Sequence, residues 1–115
     1  MKVSIAKEQL INGLQAVQNI VGSRTTLPIL SNVLIKATES GLELVTTDLD
    51  VTITCSVDAK VERQGSTTLP VKRFFGIIRE LPTAEIDIDV DDKNMCALRA
   101  GPSFYKIHGI AAEEF

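Results

Sequence analysis

The stretch LPVKRFFGIIRELP, residues 69–82, contains the strongest structural signal in the sequence. Its apolar residues recur at the three- and four-residue spacing of one helical face: Val71, Phe74, Phe75 and Ile78. Proline is favourable at the start of a helix, and the residue before a proline resists the helical conformation. The pattern therefore predicts a helix over Val71–Glu80, begun by Pro70 and ended by Leu81-Pro82.

The residues upstream predict a short strand followed by another amphipathic helix. Lys2–Ile5 alternates in polarity, as a strand does, and Lys7–Val21 has a helical apolar repeat. The repeat consists of Leu10, Leu14, Val17 and Val21. Gly22 is suited to end this helix, because glycine readily adopts the left-handed conformation found after a helix.

The remaining segments predict strands. They are Asn32–Ala37, Leu42–Thr46, Val51–Val61, Thr67–Leu69, Glu85–Val90, Met95–Arg99 and Ser103–Ile107. Val51–Val61 alternates so regularly that we expect one long, half-buried antiparallel strand. The order strand-helix-strand-strand-strand thus appears twice, without a residue-level repeat. It predicts an α+β domain in which two helices pack on antiparallel sheets and expose their polar faces together.

Size and composition indicate one soluble globular domain. The chain has 115 residues, of which 44% are hydrophobic and 23% charged. No apolar run approaches the roughly 20 residues that span a bilayer, and the N-terminus has no signal-peptide pattern. We therefore expect a cytoplasmic protein. Cys55 and Cys96 have no metal-type spacing and are expected to be buried, reduced thiols.

The charge distribution distinguishes the helices from the strands. The helices and Arg24 carry five basic and two acidic residues, a net +3, so the total of −3 leaves −6 for the remaining residues. The outer stripe of the first helix is mostly uncharged: Glu8, Asn12, Gln15 and Asn19. Lys72, Arg73 and Arg79 on the second helix are opposed by Glu80. Two interpretations stay open, an ordinary solvated face or a surface that lies near nucleic-acid phosphates while an acidic sheet side repels them.

Catalytic and metal-binding signatures are missing from the sequence. There is no phosphate-binding glycine motif, no HExxH and no GxSxG. Asp48 and Asp50 could form a metal pair, but turn capping explains them better, because short Asp side chains accept hydrogen bonds from nearby backbone N–H groups. His108 is the only histidine. We expect no enzyme activity, no cofactor and no metal.

Five segments resemble the N-terminal domain of the bacterial DNA polymerase III beta subunit family, the sliding clamps. They are Ser23–Asn32, Thr46–Asp50, Leu69–Phe75, Leu98–Gly101 and Ala111–Phe115. The resemblance runs in register through the chain, which makes it more specific than any single motif. It implies that residues 1–115 are the first of three domains in a subunit, and that two subunits close head to tail around duplex DNA. Such a ring confers processivity on the replicative polymerase.

The resemblance also implies roles for individual residues. Arg24, Lys72 and Arg79 match positions that contact DNA, without sequence specificity. The positions that meet the neighbouring subunit are matched by Arg73, Ile77, Leu81 and Phe104. Clamps often have basic residues where Pro102 and Phe104 stand here, so we expect a more apolar seam. By alternation Tyr105 and Ile107 should point inward and Phe104 outward.

The expected partners are duplex DNA, a second clamp subunit, the clamp loader and DNA polymerase III, the last two mainly through domains outside this chain. No membrane partner is expected. Two other hypotheses remain: a stand-alone protein-interaction module that uses the clamp-domain fold, and a small enzyme that uses Asp48, Asp50 or His108.

Overall fold

The strands form two antiparallel sheets in the computed structural model, which describes residues 1–21 and 28–115. The strands are β1 Lys2–Ala6, β2 Asn32–Thr38, β3 Gly41–Thr47, β4 Thr52–Val57, β5 Lys60–Arg63, β6 Gly65–Pro70, β7 Glu85–Val90, β8 Met95–Ala100 and β9 Ser103–His108. The helices are α1 Lys7–Gln18 and α2 Val71–Glu80, and 3-10 turns span Pro28–Ser31 and Ala112–Glu114. One sheet has the order β5-β1-β7-β8-β9 and the other β4-β3-β2-β6. The predicted α+β class is confirmed.

The two helices pack side by side and bury the faces that the sequence predicts. On α2 the buried residues are Val71, Phe74, Phe75 and Ile78, as expected, and on α1 they are Leu10, Gly13, Leu14 and Val17. Helix α1 also contacts β3 and β4. It approaches them closely at Gly13, where an added Cβ would lie 2.7 Å from a methyl carbon of Val57.

Helix α1 ends a turn earlier than predicted. Its last residue is Gln18, and the N–H of Val21 donates to the Gln18 carbonyl at 3.0 Å in a tighter turn. Val21 is nevertheless buried, with 6% of its surface exposed. The periodic pattern therefore identified the buried residues correctly, although the helical backbone stops before the last of them.

The prediction of one long strand over Val51–Val61 is wrong. The chain leaves β4 at Asp58-Ala59 and enters β5, so the first part pairs with β3 and the second with β1. Both sheets face the same core, so polarity keeps alternating through the crossing although the pairing partner changes. Val51 itself lies in the turn before β4 and is 50% exposed.

The C-terminal segment fastens the two sheets to each other. After β9 the chain reaches β6, where Thr68 and Ile110 exchange backbone hydrogen bonds of 3.0 Å each. Gly109 makes this passage possible, because a Cβ there would lie 2.5 Å from the Thr68 carbonyl oxygen. Its N–H donates to the Asn94 carbonyl at 2.8 Å. The segment thus connects β9 of one sheet to the edge of the other.

Within residues 1–21 and 28–115, no helix combines the length and apolar character needed to cross a membrane.

Candidate nucleic-acid interface

The polar faces of α1 and α2 are exposed on neighbouring helices, as predicted. On α1 the exposed stripe is Glu8, Asn12 and Gln15, and it continues at Asn19, the residue after the helix. On α2 the exposed charged residues are Lys72, Arg73, Arg79 and Glu80. Lys72 and Arg79 are two helical turns apart and therefore lie on the same flank of α2. This surface presents cations beside an almost uncharged stripe, an arrangement that can meet phosphate groups without strong repulsion.

The cations of α2 are available for contacts outside the domain. In the described part of the chain, the ion pairs are Lys2–Glu62 at 3.7 Å and Arg63–Asp89 at 3.1 Å, and neither involves α2. The Arg79 guanidinium instead lies over the Phe75 ring, 5.6 Å from its centroid. Lys72 and Arg73 lie in the first turn, where the helix dipole disfavours positive charge, so helix stability does not explain their placement.

Lys7 has a structural role that its place in the sequence does not indicate. Its ammonium group donates to the Leu81 carbonyl oxygen at 2.6 Å and is half-buried. This contact joins the start of α1 to the end of α2. A cation at the C-terminal end of α2 also interacts favourably with the dipole of that helix. Lys7 is therefore engaged within the domain. Arg24, the remaining predicted DNA contact, lies outside the described residues.

The predicted subunit-interface residues divide into an exposed group and a buried one. Arg73 is exposed, Ile77 is half-buried, and Phe104 on β9 is 48% exposed. Leu81 is only 2% exposed and belongs to the core cluster. Leu81 can therefore offer no exposed side chain to a partner, because the turn after α2 directs it inward.

Tyr105 is more exposed than expected for a side chain that points inward. It is opposite the buried Leu98, so its direction is as predicted, but 40% of its surface is exposed. β9 is the outermost strand of its sheet, so no neighbouring strand flanks one side of the Tyr105 ring. Phe104 and Tyr105 thus place aromatic rings on both faces of one sheet edge. Alternation in the sequence gives the face of a side chain, but it does not identify an edge strand.

The outer face of the five-stranded sheet corrects the expectation of an acidic sheet side. The β7 carboxylates are interleaved with cations from neighbouring strands: Asp89 pairs with Arg63, and Arg99 is opposite Asp87 in register. Ser4 also donates to Asp87 at 2.7 Å. The Arg99 guanidinium lies 5.0 Å from the centroid of the Phe104 ring. This face is mixed in charge, because cations distant in sequence become neighbours across the sheet.

Asp48 caps the turn between β3 and β4, as predicted. Its carboxylate accepts the backbone N–H of Val51 at 2.7 Å and of Asp50 at 3.0 Å, and these bonds lower the pKa of Asp48. Across residues 1–21 and 28–115, no three His, Cys, Asp or Glu side chains converge in a way that could hold a metal ion.

The thiols and the histidine form no common site. Cys96 is buried, and burial raises its pKa to about 12. Cys55 is half-buried, so the expectation of a buried thiol holds fully only for Cys96. His108 is exposed at the end of β9, in a different sheet from the strands that flank Asp48.

Comparisons with known proteins agree over the whole chain. The family model described as DNA polymerase III beta subunit, N-terminal domain, matches residues 1–115. The beta sliding clamp of Chlamydia muridarum (strain MoPn / Nigg) is 37% identical over 115 residues, and that of Escherichia coli (strain K12) is 35% identical over 117. These alignments cover 100% of this chain but 31% and 32% of the relatives.

Solved structures give the same result. The DNA polymerase sliding clamp from Bacillus subtilis has a TM-score of 0.96 at 30% identity, and the alignment covers 100% of this chain and 32% of that one. The chain thus spans about a third of the length of the relatives that it matches. With the family model matched from end to end, the chain belongs to the family of DNA polymerase III beta subunits and corresponds to their N-terminal domain.

Proposed function

We propose that this chain is one segment of a ring that encircles duplex DNA and confers processivity on a replicative DNA polymerase. The observation that carries the proposal is the end-to-end likeness to sliding clamps, at a TM-score of 0.96 for the clamp from Bacillus subtilis. In this proposal residues 1–115 are the first of three domains, and two subunits close the ring. The chain has a binding and tethering role, without catalysis or a cofactor.

The exposed cations of α2 are proposed to face the DNA. Lys72 and Arg79, together with Arg24, would contact backbone phosphates, which are the same for every sequence. Few contacts suit a sliding ring, because each added phosphate contact strengthens binding. Tight binding would hold the ring in one place. The mostly uncharged stripe of α1 is consistent with few phosphate contacts, since it allows the duplex to approach without binding it tightly.

The seam to the neighbouring subunit is proposed to use α2 and the edge of β9. Arg73 and Ile77 lie on the other flank of α2 from Lys72, and Phe104 contributes an exposed ring. Tyr105 at the same edge adds a second exposed ring, while the buried Leu81 packs beneath this surface without a side chain exposed to the partner. Apolar area at the centre with charge at the border is typical of stable protein interfaces. The clamp loader and polymerase would bind mainly through the other domains, in the cytoplasm at the replisome.

A second candidate function is a stand-alone protein-interaction module. It is favoured by a depression of about 400 Å³ on the outer face of the five-stranded sheet, lined by Ser4, Ala97, Arg99 and Phe104 among others. Such a depression beside an exposed ring could receive a side chain of a partner protein.

The experiment that separates these functions uses the full-length gene product with its clamp loader. Its retention on nicked circular DNA is compared before and after one linearising cut. Retention on the circle and release after the cut is the expected result, because a closed ring can leave DNA only over an end. Equal retention on both forms would indicate direct binding and would refute the ring mechanism in favour of an ordinary binding module.

A further inference from the structure

Arg79 is restrained by an aromatic ring of its own helix. Phe75 precedes it by four residues, the spacing at which two side chains meet on a helix surface. The guanidinium carbon is 5.6 Å from the ring centroid, within the roughly 6 Å over which a cation is attracted to an aromatic face. The contact therefore favours one position of an otherwise long and flexible side chain.

The two members of this pair differ in how they are held. Phe75 is 9% exposed and belongs to the core cluster, so packing fixes its ring. Arg79 is exposed, and the ion pairs found in residues 1–21 and 28–115 do not include it. The position of the guanidinium thus depends on the ring, and the position of the ring depends on the core.

Lys72, on the same flank of α2, has no such support. In the described residues the arginines that lie over aromatic rings are Arg79 and Arg99, and Arg99 is on the outer face of a sheet. Arg79 is therefore, among the described cations of this helical face, the one that an aromatic ring holds in place before any ligand arrives. Restraint before binding reduces the side-chain freedom that is given up when a contact forms.

We propose that Phe75 is a positioning residue, whose ring holds the Arg79 guanidinium ready for the backbone phosphates of duplex DNA. The inference rests on the proposed DNA-encircling function and deepens it, because it assigns a DNA-related role to a core residue. A purely structural role for the pair would instead limit its effect to the stability of α2.

A double-mutant cycle tests the proposal with the full-length gene product. Binding of a labelled linear duplex is measured at low salt for Phe75→Leu, Arg79→Ala and the double variant, and thermal unfolding of each is recorded. Phe75→Leu should weaken binding about two- to fivefold per subunit. In the Arg79→Ala background it should have no further effect. Phe75→Tyr keeps the ring and should retain the original affinity.

Other results would overturn the proposal. Equal weakening by Phe75→Leu with and without Arg79 would show a general structural effect, and no weakening would show that the ring is dispensable. An Arg79→Ala variant with unchanged affinity would also refute it, because Arg79 would then make no DNA contact. The ring function itself is judged separately, by retention on circular and linearised DNA.

Discussion

Single acidic side chains hold two of the hairpin turns of this domain. Asp48 accepts two backbone N–H groups in the β3–β4 turn, where Leu49 has a φ of 80°. Asp91 does the same for Lys93 and Met95 in the β7–β8 turn, beside Asn94 with a φ of 63°. These bonds offset the strain of left-handed backbone at residues other than glycine. Capping at Asp48 was predictable, because it needs only neighbours in the sequence.

Removing the Asp48 carboxylate should destabilise the domain in a pH-dependent way. Hydrogen bonds from Val51 and Asp50 lower the folded-state pKa of Asp48 below its ordinary value of 3.8. A lowered carboxylate pKa contributes stability above the unfolded-state pKa, and this is lost as pH falls through the folded-state value. Urea unfolding of Asp48→Ala should therefore show its full deficit near neutral pH and a smaller one at acid pH. A deficit that is constant between these conditions would contradict the assignment.

Two glycines of this chain should respond to alanine in opposite directions. At Gly109 an added Cβ lies 2.5 Å from a backbone oxygen, so Gly109→Ala should destabilise by about 1–3 kcal/mol, the usual range for overpacking. At Gly76, inside α2, the Cβ meets nothing within 4 Å. Gly76→Ala should stabilise by roughly 0.5–1 kcal/mol through helix propensity. Urea unfolding midpoints of both variants provide the measurement, and reduced stability in both would refute the distinction.

At the scale of helices and strands, the sequence predicts which face of an element is buried better than it predicts which strands pair. The apolar face of α2 was correct at every residue, because a helix makes its hydrogen bonds within itself. The split of Val51–Val61 between two sheets was missed, since strand pairing depends on residues elsewhere in the chain. The same limit explains Tyr105 at an uncovered edge, and Lys7, whose partner carbonyl belongs to Leu81. These three features depend on contacts between residues that are far apart in the sequence, and local periodicity does not indicate such contacts.

If Lys72 and Arg79 contact DNA phosphates as proposed, they should contribute to the salt dependence of DNA binding. Removing one protein–phosphate interaction reduces the slope of log affinity against log salt by about 0.9. Lys72→Ala combined with Arg79→Ala should therefore make the slope shallower by roughly 1.8 in the full-length protein, for each subunit that touches the duplex. Lys36→Ala combined with Lys60→Ala, exposed on β2 and β5, removes the same charge and is the matched control, which should leave the slope unchanged. Equal changes in both variants would indicate a nonspecific effect of net charge.

At the scale of the whole molecule, some features of the candidate site can be predicted from the sequence, and others depend on the folded structure. The positions of Lys72, Arg73 and Arg79 on an exposed helical face followed from periodicity. The burial of Leu81 and the exposure of Tyr105 did not, because both depend on how α2 and β9 lie relative to the rest of the core. The family resemblance implies which positions lie at the interface with the neighbouring subunit, and packing determines which of their side chains are exposed to that subunit.

Closure of the proposed ring should depend on Phe104. The aromatic side chain is 48% exposed at the edge of β9, so covering it with a neighbouring subunit would remove apolar surface from water. Phe104→Ala in the full-length protein should raise the dimer dissociation constant roughly tenfold or more. Sedimentation over a concentration series measures this, with Gln64→Ala, exposed in the β5–β6 connection, as the control. An unchanged constant would place the seam elsewhere.

The connections between the two sheets have a mechanical consequence. The chain crosses from β4 to β5 at Asp58-Ala59, and Thr68 and Ile110 bind β6 to the segment after β9. A force that pulls on the edge of β9 should therefore be transmitted to both layers, and these connections should resist sliding of one layer past the other. If such domains form the proposed ring, this domain should move as a stiff arm when the ring opens to admit DNA. We then expect bending to be concentrated at the junctions between domains.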